Sequence, residues 1–384
     1  MIMAHWLFQE EHEMLRKSVR SWVEKEIKPH VEEWEEKGEF PREIFNRAGE
    51  LGFLGLTYPE EYGGSGEDYL AGAVFIEELA RCGSGGVQAG LGASIGIAGP
   101  QVYRFGSQDL KKRFLTPTIS GEKIGALGIT EPNAGSDVSS IQATARDAGD
   151  HYVVNGRKIF ITNGVRADYV VTAVKTSPEA GRRGISLLVI EKGTPGFSLA
   201  KKLDKLGWNA SDTGELIFED CPVPKVNLVG EENAGFYYIM QNFAWERLVM
   251  ALGAVSGAQL AMEEAINYAH QRVQFGRPLA KFQVTRHKIA DMASLIETAR
   301  CLTYHALSLF VAGEDALAAV AMAKIYACEV VACRVADEAV QIHGGYGYMM
   351  EYPVQRYWRD ARIGTIGGGT TEIMKEIIAD RMIR

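Results

Sequence analysis

Apolar residues recur at three- and four-residue spacing through the first third of the chain. Leu15, Val19, Trp22, Val23, Ile27 and Val31 alternate with Glu and Lys, which is the pattern of an amphipathic helix. Pro41 opens a second helix and Gly52 ends it. Two more periodic stretches follow, around Tyr69–Ala80 and Leu110–Ile119. Between them, Cys82 to Tyr103 runs 22 positions without a charged residue. Seven glycines, Pro100, Gln88 and Gln101 interrupt it, so it reads as a buried helical segment of small residues rather than a membrane span. Small residues of this kind let another helix or a long ligand approach closely.

The pattern changes near Lys123. HYVVNGRKIFITNG (His151–Gly164) sets two β-rich runs on either side of Asn155-Gly156, a hairpin signal. DYVVTAVKT (Asp168–Thr176), ISLLVIEKG (Ile185–Gly193) and GELIFED (Gly214–Asp220) are further strands. Strands at this spacing with no helices between them predict an antiparallel sandwich or barrel. Beyond Gly235 the period returns to helical over Phe236–His270, Pro278–Val311 and Asp315–Ile342, with Gly276-Arg277-Pro278 and Gly313 as breaks. Helices of this length predict a bundle that oligomerises. The chain therefore divides into 1–122, a helical domain; 123–229, a central antiparallel β-domain; and 230–384, a helical bundle. The fold class is α+β.

Composition narrows the function. The 384 residues carry 41 basic and 49 acidic side chains, a net charge of −8, with no Lys/Arg-rich run, and this argues against nucleic acid as a partner. The five cysteines form no CxxC pair and have no histidine at zinc-ligand spacing, so they read as reduced, buried thiols and no metal is expected. The apolar Ile2–Phe8 segment runs straight into Glu10, Glu11 and Glu13, which is no signal peptide. A cytoplasmic location follows, or the mitochondrial matrix for a processed eukaryotic chain.

Four segments carry candidate chemistry. IGGGTTEI (Ile366–Ile373) places three glycines and two threonines ahead of a helix, where backbone N–H groups can hold an anion or a carbonyl. It is neither a P-loop nor GxGxxG, and as a lone signal it equally describes a helix-entry loop. HGGYGY (His343–Tyr348) is by default a helix C-cap. LGITEPNAGSD (Leu127–Asp137) offers hydroxyls and free amides in a turn without a lysine, suited to a neutral heteroaromatic ring or a pyrophosphate. Together with FITNG (Phe160–Gly164) it reads as a wall for a planar cofactor.

In combination with GEENAGFYYIM (Gly230–Met240) and QRVQFGRPLAKFQ (Gln271–Gln283), these segments resemble the acyl-CoA dehydrogenases over essentially the whole chain. GEENAGFYYIM and GGTTEIMKEI look most like the long-chain subgroup, and WERLVMA (Trp245–Ala251) like the long-chain and isovaleryl subgroups. The resemblance implies an N-terminal helical domain, a central β-domain and a C-terminal four-helix bundle, assembled as a homotetramer. It implies FAD between the last two domains. Leu127, Ile129, Thr130, Gly135 and Ser136 would hold the ring and pyrophosphate, with Ser136 also meeting the CoA moiety. Phe160, Ile161 and Thr162 would back the ring. Arg272 and Gln274, with Phe282 and Gln283 beside them, would reach the FAD of a neighbouring subunit. Gln341, Gly344 and Gly345 would cradle the adenine side, and Thr370, Thr371 and Glu372 would complete the site. Trp245, Arg247 and Gly369 would border the substrate. The reaction implied is α,β-dehydrogenation of an acyl-CoA to its trans-2-enoyl-CoA, with electrons passed to an electron-transfer flavoprotein.

Many members of that family carry a catalytic glutamate directly before the Gly-Thr of the C-terminal loop. Here that position is Gly368, which cannot take a proton. The long-chain and isovaleryl members place the carboxylate at the position of Glu246, and this chain has it. The resemblance thus divides two roles: the carboxylate from Glu246, and a backbone N–H from Gly368 to the thioester carbonyl. Glu372, at a helix start, reads as a capping group. The Cys82–Tyr103 segment matches the family region at the far end of the acyl pocket. Two other functions are compatible with the residues: a flavin oxidase or monooxygenase on the same fold, and a non-catalytic flavoprotein subunit.

Overall fold

The computed structural model describes residues 6–66 and 68–383; the start of the Ile2–Phe8 segment lies outside the described residues. Helices α1 (Glu10–Trp22), α2 (Val31–Lys37), α3 (Glu43–Glu50), α4 (Tyr69–Ala80), α5 (Gly85–Gly92) and α6 (Gly99–Phe105) build the first domain. The periodic Leu15–Val31 stretch is helical but broken. A π-helical turn at Val23–Ile27 and a 3₁₀ turn at Lys28–His30, set by Pro29, separate α1 from α2. The uncharged segment is helical as expected: a π-helical run, Ala93–Ala98, joins α5 to α6.

Helix α4 sits at the junction of two domains. Asp68 caps it, accepting from the N–H groups of Leu70 and Ala71 at 2.8 and 3.1 Å. Glu77 and Glu78 are buried on it and fully paired. Arg16 reaches both at 2.8 and 3.0 Å, Arg20 grips Glu78 with two bonds of 2.7 Å, and the Tyr304 hydroxyl donates to Glu77 at 2.6 Å. Breaking such a pair would leave a buried charge uncompensated, at a cost of roughly 3–5 kcal/mol. The network therefore fixes α4 between α1 and the C-terminal bundle.

The central domain is one curled seven-stranded sheet of β1 (Gly125–Gly128), β2 (Thr144–Asp147), β3 (His151–Thr162), β4 (Tyr169–Lys175), β5 (Ile185–Glu191), β6 (Phe197–Lys202) and β7 (Thr213–Pro224). Most pairings are antiparallel, but β1 and β2 run parallel to β4, so the expectation of an antiparallel sheet holds only in part. Strand β4 is apolar throughout because both faces are covered. Tyr169, Val171 and Ala173 pack into the core shared with the first domain, while Val170 and Val174 pack inside the curl. The expected hairpin at Asn155-Gly156 is absent. Those residues lie inside β3, where the register with β7 shifts between Val154 and Gly156. A Cβ on Gly156 would come within 2.5 Å of the Ala143 Cβ, so the glycine serves a bulge and a close approach. The chain reverses instead between β2 and β3, around Gly149 at φ +99°.

The C-terminal domain is a bundle of α7 (Gly235–Gln271), α8 (Gln283–Val311), α9 (Leu317–Ile325) and α10 (Cys333–His343), with α11 (Val354–Ala361) and α12 (Thr371–Ile383). A π-helical stretch, Tyr326–Ala332, makes α9 and α10 one interrupted rod. Helix α8 starts five residues later than the periodicity suggests. A two-stranded hairpin, Val273–Gln274 with Arg277–Pro278, comes first and turns on Phe275 and Gly276, both at positive φ. Asp360 on α11 accepts from the Gly85 N–H at 2.9 Å and the Trp208 N–H at 2.7 Å, tying all three domains together at the start of α5. Among the described residues no helix is long and apolar enough to cross a membrane.

Candidate active site

Helix α7 buries Trp245, Glu246, Arg247 and Leu248 in succession, because neighbours surround it on every side. Glu246 is 7% exposed and its Oε1 has no hydrogen-bond partner among the described residues. Burial pushes its pKa up to about 8, against the opposing pull of the Arg247 guanidinium. A buried carboxylate with an unpartnered oxygen is costly to stability, and such groups concentrate where chemistry requires them.

The glycine loop 367–369 packs against α7 at Arg247 and Met250. Arg247 Nε donates to the Gly368 carbonyl at 3.3 Å. A Cβ on Gly368 would fall 2.5 Å from the Sδ of Met250, one helical turn beyond Glu246. Gly368 and Gly369 take φ of +63° and +95°, which glycine adopts at little cost. The Gly367 N–H is used locally, donating to Ile363 O at 2.9 Å. No described residue accepts from the N–H of Gly368 or Gly369. The fold therefore brings Arg247 and Met250, which flank Glu246 on α7, against Gly368 and Gly369 from segments more than a hundred residues apart.

Thr370 and Glu372 belong to the start of α12. The Thr370 hydroxyl accepts from the Ile373 N–H at 3.4 Å, and Thr371 is buried behind it. Glu372 is exposed; its own N–H and the Thr370 hydroxyl hold its carboxylate below the usual range. This is a capping geometry, and it leaves Glu246 as the carboxylate of the loop region.

An apolar channel leads away from Trp245. Its walls include Gly72 and Ile76 of α4, Gly92 and Gly96 from the uncharged segment, and Val249 of α7; it is narrow, about 40 Å³. A Cβ on Gly92 or Gly96 would meet nothing within 4 Å, so these two glycines, one turn apart, leave space. Gly72 does the opposite. A Cβ there would lie 2.7 Å from Thr57 Cγ2 and 3.3 Å from the Trp245 ring. Thr57 and Gln88 are the polar side chains in the wall, and Gln88 packs against Gly253.

On the β-domain, Leu127 lies in β1, and Ile129 and Thr130 follow it. The Ile159 N–H donates to Thr130 O at 2.9 Å, which links the Leu127–Asp137 turn directly to the strand carrying Phe160, Ile161 and Thr162. Sequence reading missed what braces this turn. Glu131 is buried and accepts from the N–H groups of Gln142 and Ala143 at 2.6 and 3.0 Å and from Lys158 Nζ at 2.7 Å. Lys158 is fully buried and also donates to Ile129 O at 3.0 Å. Burial draws its pKa down to about 8, with Glu131 opposing. The signal was weak: Lys158 follows the exposed Arg157 in β3, and only its burial shows that it is there for a partner.

Phe160 sits at a second bulge of β3 with φ +60° and is 66% exposed. That backbone costs a bulky residue roughly 1–3 kcal/mol and stands the ring out from the sheet. Gly135 and Ser136 are also exposed, and no described residue accepts from either N–H. A third cluster forms a separate cleft of about 510 Å³, where Arg272 and Gln274 meet Gly344, Gly345 and Tyr346. Gln341 is exposed beside it; Phe282 lies under the Arg277 guanidinium, and Gln283 opens α8, so these three border the cleft rather than line it. The unused amides and upright aromatic ring of the β-domain, and the guanidinium and open glycines of the separate cleft, each suit the flat rings and phosphates of a dinucleotide such as FAD.

The acyl-CoA dehydrogenase family models match throughout: the N-terminal domain over residues 9–122, the middle domain over 126–221 and the C-terminal domain over 233–383. An acyl-CoA dehydrogenase of Bacillus subtilis (strain 168) is 43% identical over 97% of this chain and 98% of its own length. A crystal structure of a probable acyl CoA dehydrogenase from Mycobacterium abscessus is 48% identical, with a TM-score of 0.95 over 98% of this chain and 100% of that one. The structure of a Bacillus anthracis acyl-CoA dehydrogenase complexed with FAD is 35% identical, with a TM-score of 0.92 over 98% of this chain and 68% of that one.

Proposed function

The chain belongs to the acyl-CoA dehydrogenase family, and from that premise we propose that it dehydrogenates an acyl-CoA thioester at Cα–Cβ, with FAD as cofactor and Glu246 as base. The observation that carries this reading is the buried Glu246 carboxylate. One of its oxygens is unpartnered, its pKa is about 8, and its neighbours Arg247 and Met250 on the same helix meet a loop whose Gly368 N–H is unused.

An α-proton of a thioester is too weakly acidic for an ordinary carboxylate. Two features of the chain narrow the gap. Burial raises the basicity of Glu246, and the Gly368 N–H can accept the charge that develops on the thioester oxygen. Glu246 then takes the α-proton as the electron pair moves toward the carbonyl. FAD, when bound, supplies the acceptor for the hydrogen that leaves the β-carbon with its electron pair. Thr130, Gly135, Ser136 and the Phe160–Thr162 strand would hold one end of the cofactor, and the product would be the trans-2-enoyl-CoA. Electrons then pass to an electron-transfer flavoprotein. The cleft of Arg272, Gln274, Gly344 and Gly345 stands open on a surface with exposed Phe275, Tyr348 and Met350. This supports completion by a second copy of the chain, in a homotetramer, with each copy reaching its neighbour's FAD.

Formation of enoyl-CoA, followed with an artificial electron acceptor and without oxygen, tests the reading. Enoyl-CoA made only at the expense of dissolved oxygen would instead identify an oxidase.

Because an ionised base is required, kcat/KM should climb about tenfold per pH unit up to about 8 and level off above it. A pH–rate profile on a slow-release substrate checks this. A profile flat across neutral pH would mean that Glu246 does not titrate in the step.

The acyl tail is assigned to the channel beside Trp245, with Gly92 and Gly96 setting its bore. Gly96→Leu should lower kcat/KM for long straight-chain acyl-CoAs by about tenfold or more, while short ones stay within a few-fold. Equal loss for both would place the tail elsewhere.

A further inference from the structure

We propose that Lys324 is a positioning residue that aims and polarises the Gly368 N–H from behind; this rests on the reading of that N–H as the thioester's hydrogen-bond donor. Lys324 lies on α9 and is 1% exposed. Its ammonium donates to Gly367 O at 2.7 Å and to Gly369 O. Among the described residues it forms no ion pair, although burial and the nearby Arg247 both disfavour its charge. An ammonium held in the interior by loop carbonyls alone is an expensive arrangement for merely securing a loop.

The peptide unit explains the arrangement. The Gly367 carbonyl and the Gly368 N–H belong to one planar trans peptide, so they point in opposite directions. Fixing the carbonyl on Lys324 turns the N–H away from α9. The next peptide is held in the same way, its Gly368 carbonyl on Arg247 and its Gly369 N–H free; the one after it returns to Lys324 through Gly369 O. Three successive carbonyls are thus anchored on two cations. Cooperative polarisation strengthens an N–H whose own carbonyl is hydrogen-bonded, the more so with a charged donor. The positive charge behind the peptide also favours negative charge developing in front of it. The positive φ values of Gly368 and Gly369 give the loop a shape that permits this, and the cations select its direction.

The test uses the FAD-loaded enzyme with bound enoyl-CoA isotopically labelled at the thioester carbonyl. The infrared stretch of that carbonyl reports the strength of the bond it accepts. Wild type should lower the band relative to solution. Lys324→Met, with flavin content retained, should return at least half of that shift and lower kcat by roughly 10- to 100-fold, with KM changed only a few-fold. If the Met variant does not hold flavin, Lys324→Gln, which keeps a neutral donor, is read in its place and should return part of the shift. A band as low in the variant as in wild type, despite slower turnover, would make Lys324 structural only and overturn the proposal. An unshifted band in wild type would overturn the Gly368 reading itself and the proposal with it.

Discussion

Glu246→Gln should lower turnover by roughly 10²–10⁴-fold, the usual contribution of a general base, while leaving flavin content and fold intact. The substitution keeps shape and hydrogen-bonding capacity and removes only the proton acceptor. The site also makes a thermodynamic prediction, with the sign set by burial. The folded-state pKa of Glu246 is about 8, against an ordinary value of 4.5. Between those limits the native state binds a proton that the unfolded chain does not, so the stability contributed by this group falls as pH rises through the window. The Gln variant carries no such charge. Its thermal midpoint should therefore gain on wild type as pH rises from 4.5 to about 8. Slower turnover with a widening stability advantage identifies a buried functional carboxylate. Activity within a few-fold of wild type would remove Glu246 from the mechanism.

Gly368→Ala should be nearly as damaging, although it removes no functional side chain. At φ +63° an alanine is strained, and its Cβ would lie 2.5 Å from the Met250 Sδ. Either the loop or the methionine must move. Movement of the loop displaces the Gly368 N–H, and losing one such donor typically costs about 10²–10³ in rate. Adding Met250→Ala should relieve the steric part and recover some of the activity, because only the backbone strain then remains. Measuring kcat for both single variants and the double variant separates the two contributions. If Gly368→Ala retains full activity, the loop N–H is not part of the site.

The α–β–α order and the long C-terminal helices were legible because hydrophobic periodicity depends on local sequence. The parallel pairings of β1 and β2 with β4 were not, since they join strands separated by a hairpin excursion and leave no local mark. Asn155-Gly156 misled for a physical reason: the same glycine freedom serves a tight turn and a bulge, and only the partner strand decides between them. Within the site, the motifs were visible one by one, but the pairing of Glu246 with Gly368 was an expectation of family resemblance, and the approach of Arg247 and Met250 to Gly368 is marked by no spacing in the chain. Lys324 and Lys158 escaped notice, although Lys324 stands as a lone cation in an apolar run. In both cases the partner is a set of backbone carbonyls or a distant carboxylate that no pattern in the chain announces.

Anaerobic stopped-flow bleaching of the bound flavin by a panel of acyl-CoAs tests the central claim most directly, with wild type and Glu246→Gln compared across pH. Wild type should bleach rapidly with at least one acyl-CoA, at a rate that rises toward pH of about 8, and the Gln variant should bleach at least a hundredfold more slowly at every pH, with the same flavin content. Equal bleaching by the two proteins, or no bleaching of wild type by any acyl-CoA, would contradict the account.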